Sequence, residues 1–156
     1  MIVEDVKKEL QDYRNDWQLL ARIEEEIEYY DAKLTSCTAQ LSATPKGTPE
    51  VADKIAEYIA KLEEVKANKF KQLIDLENKT ERIENIVDSL AQPYKTLLHT
   101  TYIKKGEYVN EEGVAKIVVG CKLRETAYLM TYEYKYICKL HGKALLEYLK
   151  VRERYV

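Results

Sequence analysis

The sequence predicts an all-α protein: a long antiparallel helical hairpin of coiled-coil type, followed by a C-terminal helix-turn-helix domain. Three observations carry this prediction. Apolar residues recur at steps of three and four from Val3 to Cys37, and again from Val51 to Leu90. A break containing two prolines, a glycine and several Ser and Thr separates the two stripes. Charged residues make up 33% of the chain against only five Gly and three Pro, which is the composition of long helices rather than of strands and turns. The expected domains are 1–92 for the hairpin and 93–156 for the helix-turn-helix part, with an inserted segment near 106–121.

The first stripe is Val3, Val6, Leu10, Tyr13, Trp17, Leu20, Ile23, Ile27, Tyr30, Leu34 and Cys37. It is a heptad seam with one shortened step at Leu20–Ile23, a stammer that overwinds a coiled coil locally. A helix from residue 3 to about 37 is roughly 50 Å long and must bury so narrow a stripe against another helix. Residues 38–49 break it. Thr48 suits an N-cap, with Pro49 at the first helical position and Glu50 in the first turn. The second helix, from about Pro49 to Leu90, has the seam Val51, Ile55, Tyr58, Leu62, Val65, Leu73, Leu76, Ile83, Val87 and Leu90, interrupted at Lys69 and Thr80. Two such helices across a short loop fold back antiparallel. This half reads as an oligomerisation or partner-binding device.

Pro93 opens the next element, since the residue before a proline avoids the helical region while proline suits a helix start. Residues 93–104 form a short helix with Leu97, Leu98, Thr101 and Tyr102 inward. Residues 105–122 contain Gly106, Gly113 and Gly120 around β-branched Val114, Ile117, Val118 and Val119. They suit a short helix, a small hairpin or an inserted loop. A helix at Leu123–Leu129, a turn at Met130–Glu133 and the tail helix follow. Two helix-turn-helix registers result. One takes 110–119 as the first helix with Gly120 in the turn. The other takes Leu123–Leu129 as the first helix, with 106–121 inserted, and is preferred because Thr131 offers a cap before the tail helix.

The tail, YEYKYICKLHGKALLEYL from Tyr132 to Leu149, is the most informative stretch. Lys135, Lys139 and Lys143 recur at i, i+4, i+8 and share one helical row. Ile137, Leu140, Ala144, Leu145 and Tyr148 fall on another side and pack inward. A helix docked by an apolar face and presenting a basic face has the form needed to meet DNA phosphates and base edges. Lys122 and Arg124 flank it, and Tyr132 and Tyr134 are its exposed aromatic candidates. Tyr128 and Tyr136 are expected to be mainly core. A solvated lysine face is the plain alternative.

Charge distribution favours the basic end. Residues 1–92 hold 13 Lys and Arg against 20 Asp and Glu; residues 93–156 hold 12 against 7. Three widely spaced cysteines, Cys37, Cys121 and Cys138, form no CxxC pair, which suits a reduced, cytoplasmic protein. The start lacks the apolar core of a signal peptide, and no run reaches a membrane span. No nucleotide-binding, zinc-protease or hydrolase motif occurs. Cys138 and His141 are three apart on the tail helix but lack two further metal ligands. His141 reads instead as packed or bonded to backbone. No catalytic residue, metal site or cofactor is expected, and the chain does not read as an enzyme.

The segment LRETAYLMTYEYKYICKLHGKAL, residues 123–145, resembles the C-terminal module of phage-encoded late-transcription regulators of the ArpU/RinA type, a module similar to region 4 of sigma factors. Thr101-Tyr102-Ile103 matches that family's Arg-Tyr-like element, and Thr126-Ala127 with Leu129-Met130 its short helix. Thr131-Tyr132-Glu133 stands at its turn, and Lys139 to Leu145 in its last helix. The two long helices and the TPKGTP linker suit its coiled-coil front half. Thr101 replaces the family's Arg and Glu133 its Ser. Glu133 favours the helix dipole but repels a phosphate, and the segment 106–121 is longer than the family's turn. The resemblance implies late gene control in a bacterial host by binding promoter duplex DNA, with host RNA polymerase as a further partner and a dimer as the first expectation for self-association. Two alternatives stand beside it. One is a small terminase-like DNA-packaging subunit. The other is a coiled-coil adaptor that binds only protein.

Overall fold

The computed structural model describes residues 2–43, 49–109, 111, 113 and 115–154. The chain is all-α apart from one two-stranded hairpin. In order it forms α1 (Val3–Ala43), α2 (Pro49–Ser89), α3 (Tyr94–Leu98), a π-helical stretch (His99–Ile103), β1 (Lys105–Val109), β2 (Ala115–Val119), α4 (Leu123–Leu129) and α5 (Tyr134–Arg154). α1 continues past Cys37 to Ala43. The Thr35 and Thr38 hydroxyls donate to the Asp31 and Leu34 carbonyls one turn back, so these residues sit within the helix instead of ending it. Residues 44–48, and with them the expected Thr48 cap, lie outside the described residues.

Contacts group the chain into two units, Met1–Gln18 with Leu76–Val156, and Leu19–Asp75. The halves 1–92 and 93–156 follow the motifs, whereas packing gathers the ends of both long helices with the C-terminal segment. Val6, Leu10 and Tyr13 of α1 and Ile83, Ile86 and Val87 of α2 share one buried core with Leu97, Leu98, Tyr102, Ile137, Leu140, Ala144, Leu145 and Tyr148. In this unit α1 and α2 run antiparallel. Glu9 accepts from Arg82, the Tyr13 hydroxyl donates to Glu84 at 2.9 Å, and Trp17 Nε1 donates to Thr80 Oγ1 at 3.2 Å. Burial, and then the Glu84 carboxylate, push the Tyr13 phenol well above its ordinary pKa. Thr80, which interrupts the apolar stripe, is therefore the partner that satisfies the indole.

Glu9 also accepts from Arg152, at 2.8 Å from Nε and 3.3 Å from Nη2, so one carboxylate ties α1 to both α2 and α5. The Glu9 and Arg152 side chains are only 15% and 17% exposed, which makes this triad more than a solvated ion pair.

In the second unit Leu20, Ile23, Cys37 and Leu62 are buried. Tyr30 and Tyr58 approach with ring centroids 6.3 Å apart, and Lys69 pairs with Glu24 at 3.6 Å. Lys69, the other interruption of the α2 stripe, is thus an interhelical ion-pair partner.

Of the three possibilities for 105–122, the hairpin is found. β1 and β2 pair antiparallel in the register Lys105↔Val119, Glu107↔Ile117. β-branched Ile117, Val118 and Val119 favour the extended backbone, and a strand over 115–119 removes the register that began its first helix at 110. α4 covers Leu123–Leu129 as expected. Thr131 is not the cap of α5. It has φ 60 and closes α4 as the left-handed residue of a Schellman motif, with Tyr132 N bonded to Ala127 O at 2.9 Å and Thr131 N to Tyr128 O at 3.2 Å. α5 begins after Glu133, whose carbonyl accepts from Ile137 N at 3.0 Å.

Candidate nucleic-acid interface

α5 divides into two faces as its residue spacing dictates. Ile137, Leu140, His141, Ala144, Leu145 and Tyr148 are buried. Lys135, Lys139 and Lys143 are all exposed along the opposite row. α4 is held against the π-helical stretch by a buried hydroxyl pair, Thr101 Oγ1 to Thr126 Oγ1 at 2.9 Å, with the Cys121 thiol 3.2 Å from Thr126 Oγ1. That contact sets where Lys122 and Arg124 emerge, and both are exposed. The Arg124 guanidinium lies 4.3 Å above the Tyr134 ring, so the start of α4 and the start of α5 meet in one cation–π contact.

The tyrosines depart from expectation. Tyr132 and Tyr134 are exposed, as foreseen, but Tyr128 is 84% and Tyr136 50% exposed rather than core. The reason is the volume available. Leu97, Leu98, Ile137, Leu140 and Tyr148 already fill the space beneath α5, and Tyr128 leaves α4 on the side away from buried Thr126 and Ala127. Tyr136 instead packs edge-on against Tyr132, centroids 5.2 Å apart. The outward face around the α4–α5 turn therefore carries four tyrosines. Contact with the Cys138 thiol raises the pKa of the Tyr134 phenol.

His141 is packed, and its partner is a side chain rather than backbone. Its Nε2 lies 2.7 Å from the Tyr102 hydroxyl in a buried pair. Burial, and then the charge of Lys7, lower its pKa to about 4; burial raises that of Tyr102 to about 12. Cys138 is exposed while His141 is buried, so the two occupy different faces of the helix. Among the described residues no group of three or more His, Cys, Asp or Glu is placed to hold a metal, and no helix is long and apolar enough to cross a membrane.

Sequence reasoning missed what docks the β-hairpin. Arg14 Nη1 donates to the Thr101 and Cys121 carbonyls at 3.4 Å each. Gln18, one turn on, donates to the Ile117 carbonyl at 2.9 Å and accepts from Val119 N at 3.0 Å. Between them Trp17 stacks under the Lys105 ammonium at 3.7 Å. Polar residues at i and i+4 beside a heptad seam were the available signal, but spacing names no partner. The approach is close enough that Gly120, at φ 69, leaves no room for a Cβ against the Thr101 carbonyl.

No family model, curated protein or solved structure matches this chain.

Proposed function

We propose that this chain is a DNA-binding transcriptional regulator of the phage late-gene type, gripping duplex DNA through α5 and the start of α4. The observation that carries the reading is the two-faced α5, with Lys135, Lys139 and Lys143 outward and Ile137, Leu140, Ala144, Leu145 and Tyr148 buried inward, after a short helix and a four-residue turn. In this reading the three lysines meet backbone phosphates. Lys122 and Arg124 flank the groove, while Tyr132 and Tyr134 offer hydroxyls and ring faces near the helix start. The exposed Tyr128 and Tyr136 extend the same surface. Glu133 beside this row works against a phosphate contact at the turn.

The test is fluorescence anisotropy of a labelled mixed-sequence duplex with the full chain, as a function of salt. The full chain is required because residues 93–156 share their core with both long helices. Lys139→Ala is expected to weaken binding to all sequences alike and to lower the salt slope by roughly one. An unchanged slope refutes the assignment of Lys139, and no binding at low salt refutes the reading as a whole.

A protein-only adaptor is the second reading, favoured by Phe70 and Ile74 of α2, one turn apart and 66% and 49% exposed. The same pair serves the first reading as a face for a second copy of the chain or for RNA polymerase. A ring of eight or more copies in light scattering favours a terminase-like packaging subunit instead.

A further inference from the structure

A cleft of about 280 Å³ opens where α1, the π-helical stretch, the exit of β2 and the start of α5 converge. Its lining includes Lys7, Gln11, Arg14, Lys122, Tyr134 and His141 and, among the described residues, no aspartate or glutamate. Three cations therefore face one cavity with no carboxylate to offset them. Lys7 and Arg14 share one face of α1 at i and i+7, and Lys122, the residue before α4, is brought to them from a distant part of the chain. The Arg14 guanidinium is fixed by its bonds to the Thr101 and Cys121 carbonyls and by its position 5.5 Å from the Tyr102 ring centroid. A cation held in this way loses little rotamer freedom when a ligand arrives. The field of Lys7 reaches His141 in the wall, where it adds to burial in keeping the imidazole neutral. Gln11 and the Tyr134 hydroxyl add neutral polar groups to the same lining.

We infer that this cleft is an oxyanion site that takes a phosphoryl group, with Lys7, Arg14 and Lys122 as its charge-bearing ligands. The volume lies at the lower edge of what ligand pockets occupy, which suits a phosphate with a small appendage rather than a large apolar body. Charge-assisted bonds from two ammonium groups and a guanidinium are the strong kind that such a ligand uses. Two sources carry this chemistry: a phosphodiester of a nucleic-acid backbone and a free phosphorylated small molecule. The cleft shares Lys122 and Tyr134 with the proposed DNA surface, but Lys7 and Arg14 lie outside that surface, so the assignment does not rest on the DNA reading.

Isothermal titration of the full chain with pyrophosphate, at fixed ionic strength in chloride, tests it. Saturable one-to-one binding is expected, roughly tenfold weaker in Lys122→Gln and in Lys7→Gln. Lys150→Gln, in a lysine that pairs with Glu147 away from the cleft, is expected to bind like the parent. No saturable binding, or the same loss in all three variants, overturns the site. Circular dichroism of each variant separates lost binding from lost fold, and exposed Lys122 gives a substitution that spares the core. Repeating the titration with saturating duplex distinguishes the sources: displacement of pyrophosphate assigns the cleft to a backbone phosphodiester, and simultaneous binding assigns it to a free phosphorylated compound. A chain that binds pyrophosphate but no duplex retains the cleft and loses the DNA reading. Binding of duplex without pyrophosphate does the reverse.

Discussion

Acid should weaken this fold through His141. His141 is buried against Tyr102, and its pKa stands at about 4 against an ordinary value of 6.5. Between those values the unfolded chain binds a proton at this position and the folded chain does not. Stability therefore rises with pH across the window, is complete above about 6.5, and is lost as pH falls towards 4. At about 1.4 kcal/mol per pH unit the full loss is about 3 kcal/mol, a large share of a domain's usual margin. The perturbation is His141→Gln, which keeps a donor and an acceptor for the Tyr102 hydroxyl but does not titrate. Urea unfolding of parent and variant is followed at half-unit steps from pH 4 to pH 8. Carboxylates protonate in both proteins over the lower part of that range, so the difference between the two curves isolates the histidine. The variant should be the less pH-sensitive by about 3 kcal/mol across the range. A parent-minus-variant difference that is flat with pH, or that shrinks as pH rises from 4 to 6.5, would refute the claim that His141 is neutral and buried in the folded chain.

Three further outcomes follow from the packing. Glu9→Gln removes the carboxylate shared by Arg82 and Arg152, leaves a half-buried guanidinium without its charge partner, and should lower the thermal midpoint by roughly 5–10 °C. Gly120→Ala forces a Cβ into the Thr101 carbonyl at a left-handed position and should cost roughly 2–4 kcal/mol in chemical unfolding, with loss of the Trp17 fluorescence that reports hairpin docking. Thr131→Gly relieves a β-branched residue at φ 60 and should stabilise by about 1 kcal/mol in the same assay; destabilisation would mean that the threonine side chain contributes more than its backbone strain costs.

Periodicity made the long elements legible. Every apolar position of both heptad stripes is buried or half-buried, and the inward row of α5 is buried throughout. These positions obey a local rule, because an apolar stripe at helical spacing has one way to leave water. The interruptions were less legible. Lys69 and Thr80 look like defects in a stripe, and become a salt-bridge partner and an indole acceptor only when the facing helix is known. Tyr128 and Tyr136 failed for a related reason: an aromatic is core only if volume remains for it, and volume is a property of the whole packing. Thr131 is a good N-cap residue by composition, yet the turn needed a left-handed residue there and took the threonine. For the candidate site, the lysine row could be read from spacing. Lys7 and Arg14 could not, since nothing local says that the first turns of α1 end beside the start of α4.

The side chain of Gln18 has a further consequence. A two-stranded hairpin leaves its outer edges open, and an open edge is a template on which another chain can add a strand. On β2 the Ile117 carbonyl and the Val119 amide face outward, away from β1, and the Gln18 amide bonds to both. One helical side chain thus stands in for the backbone of a third strand and terminates the sheet. Without it, the run Ile117-Val118-Val119 would present free backbone groups beside two exposed β-branched side chains, the profile of a segment that recruits copies of itself. Gln18 therefore covers part of an open sheet edge as well as docking the hairpin.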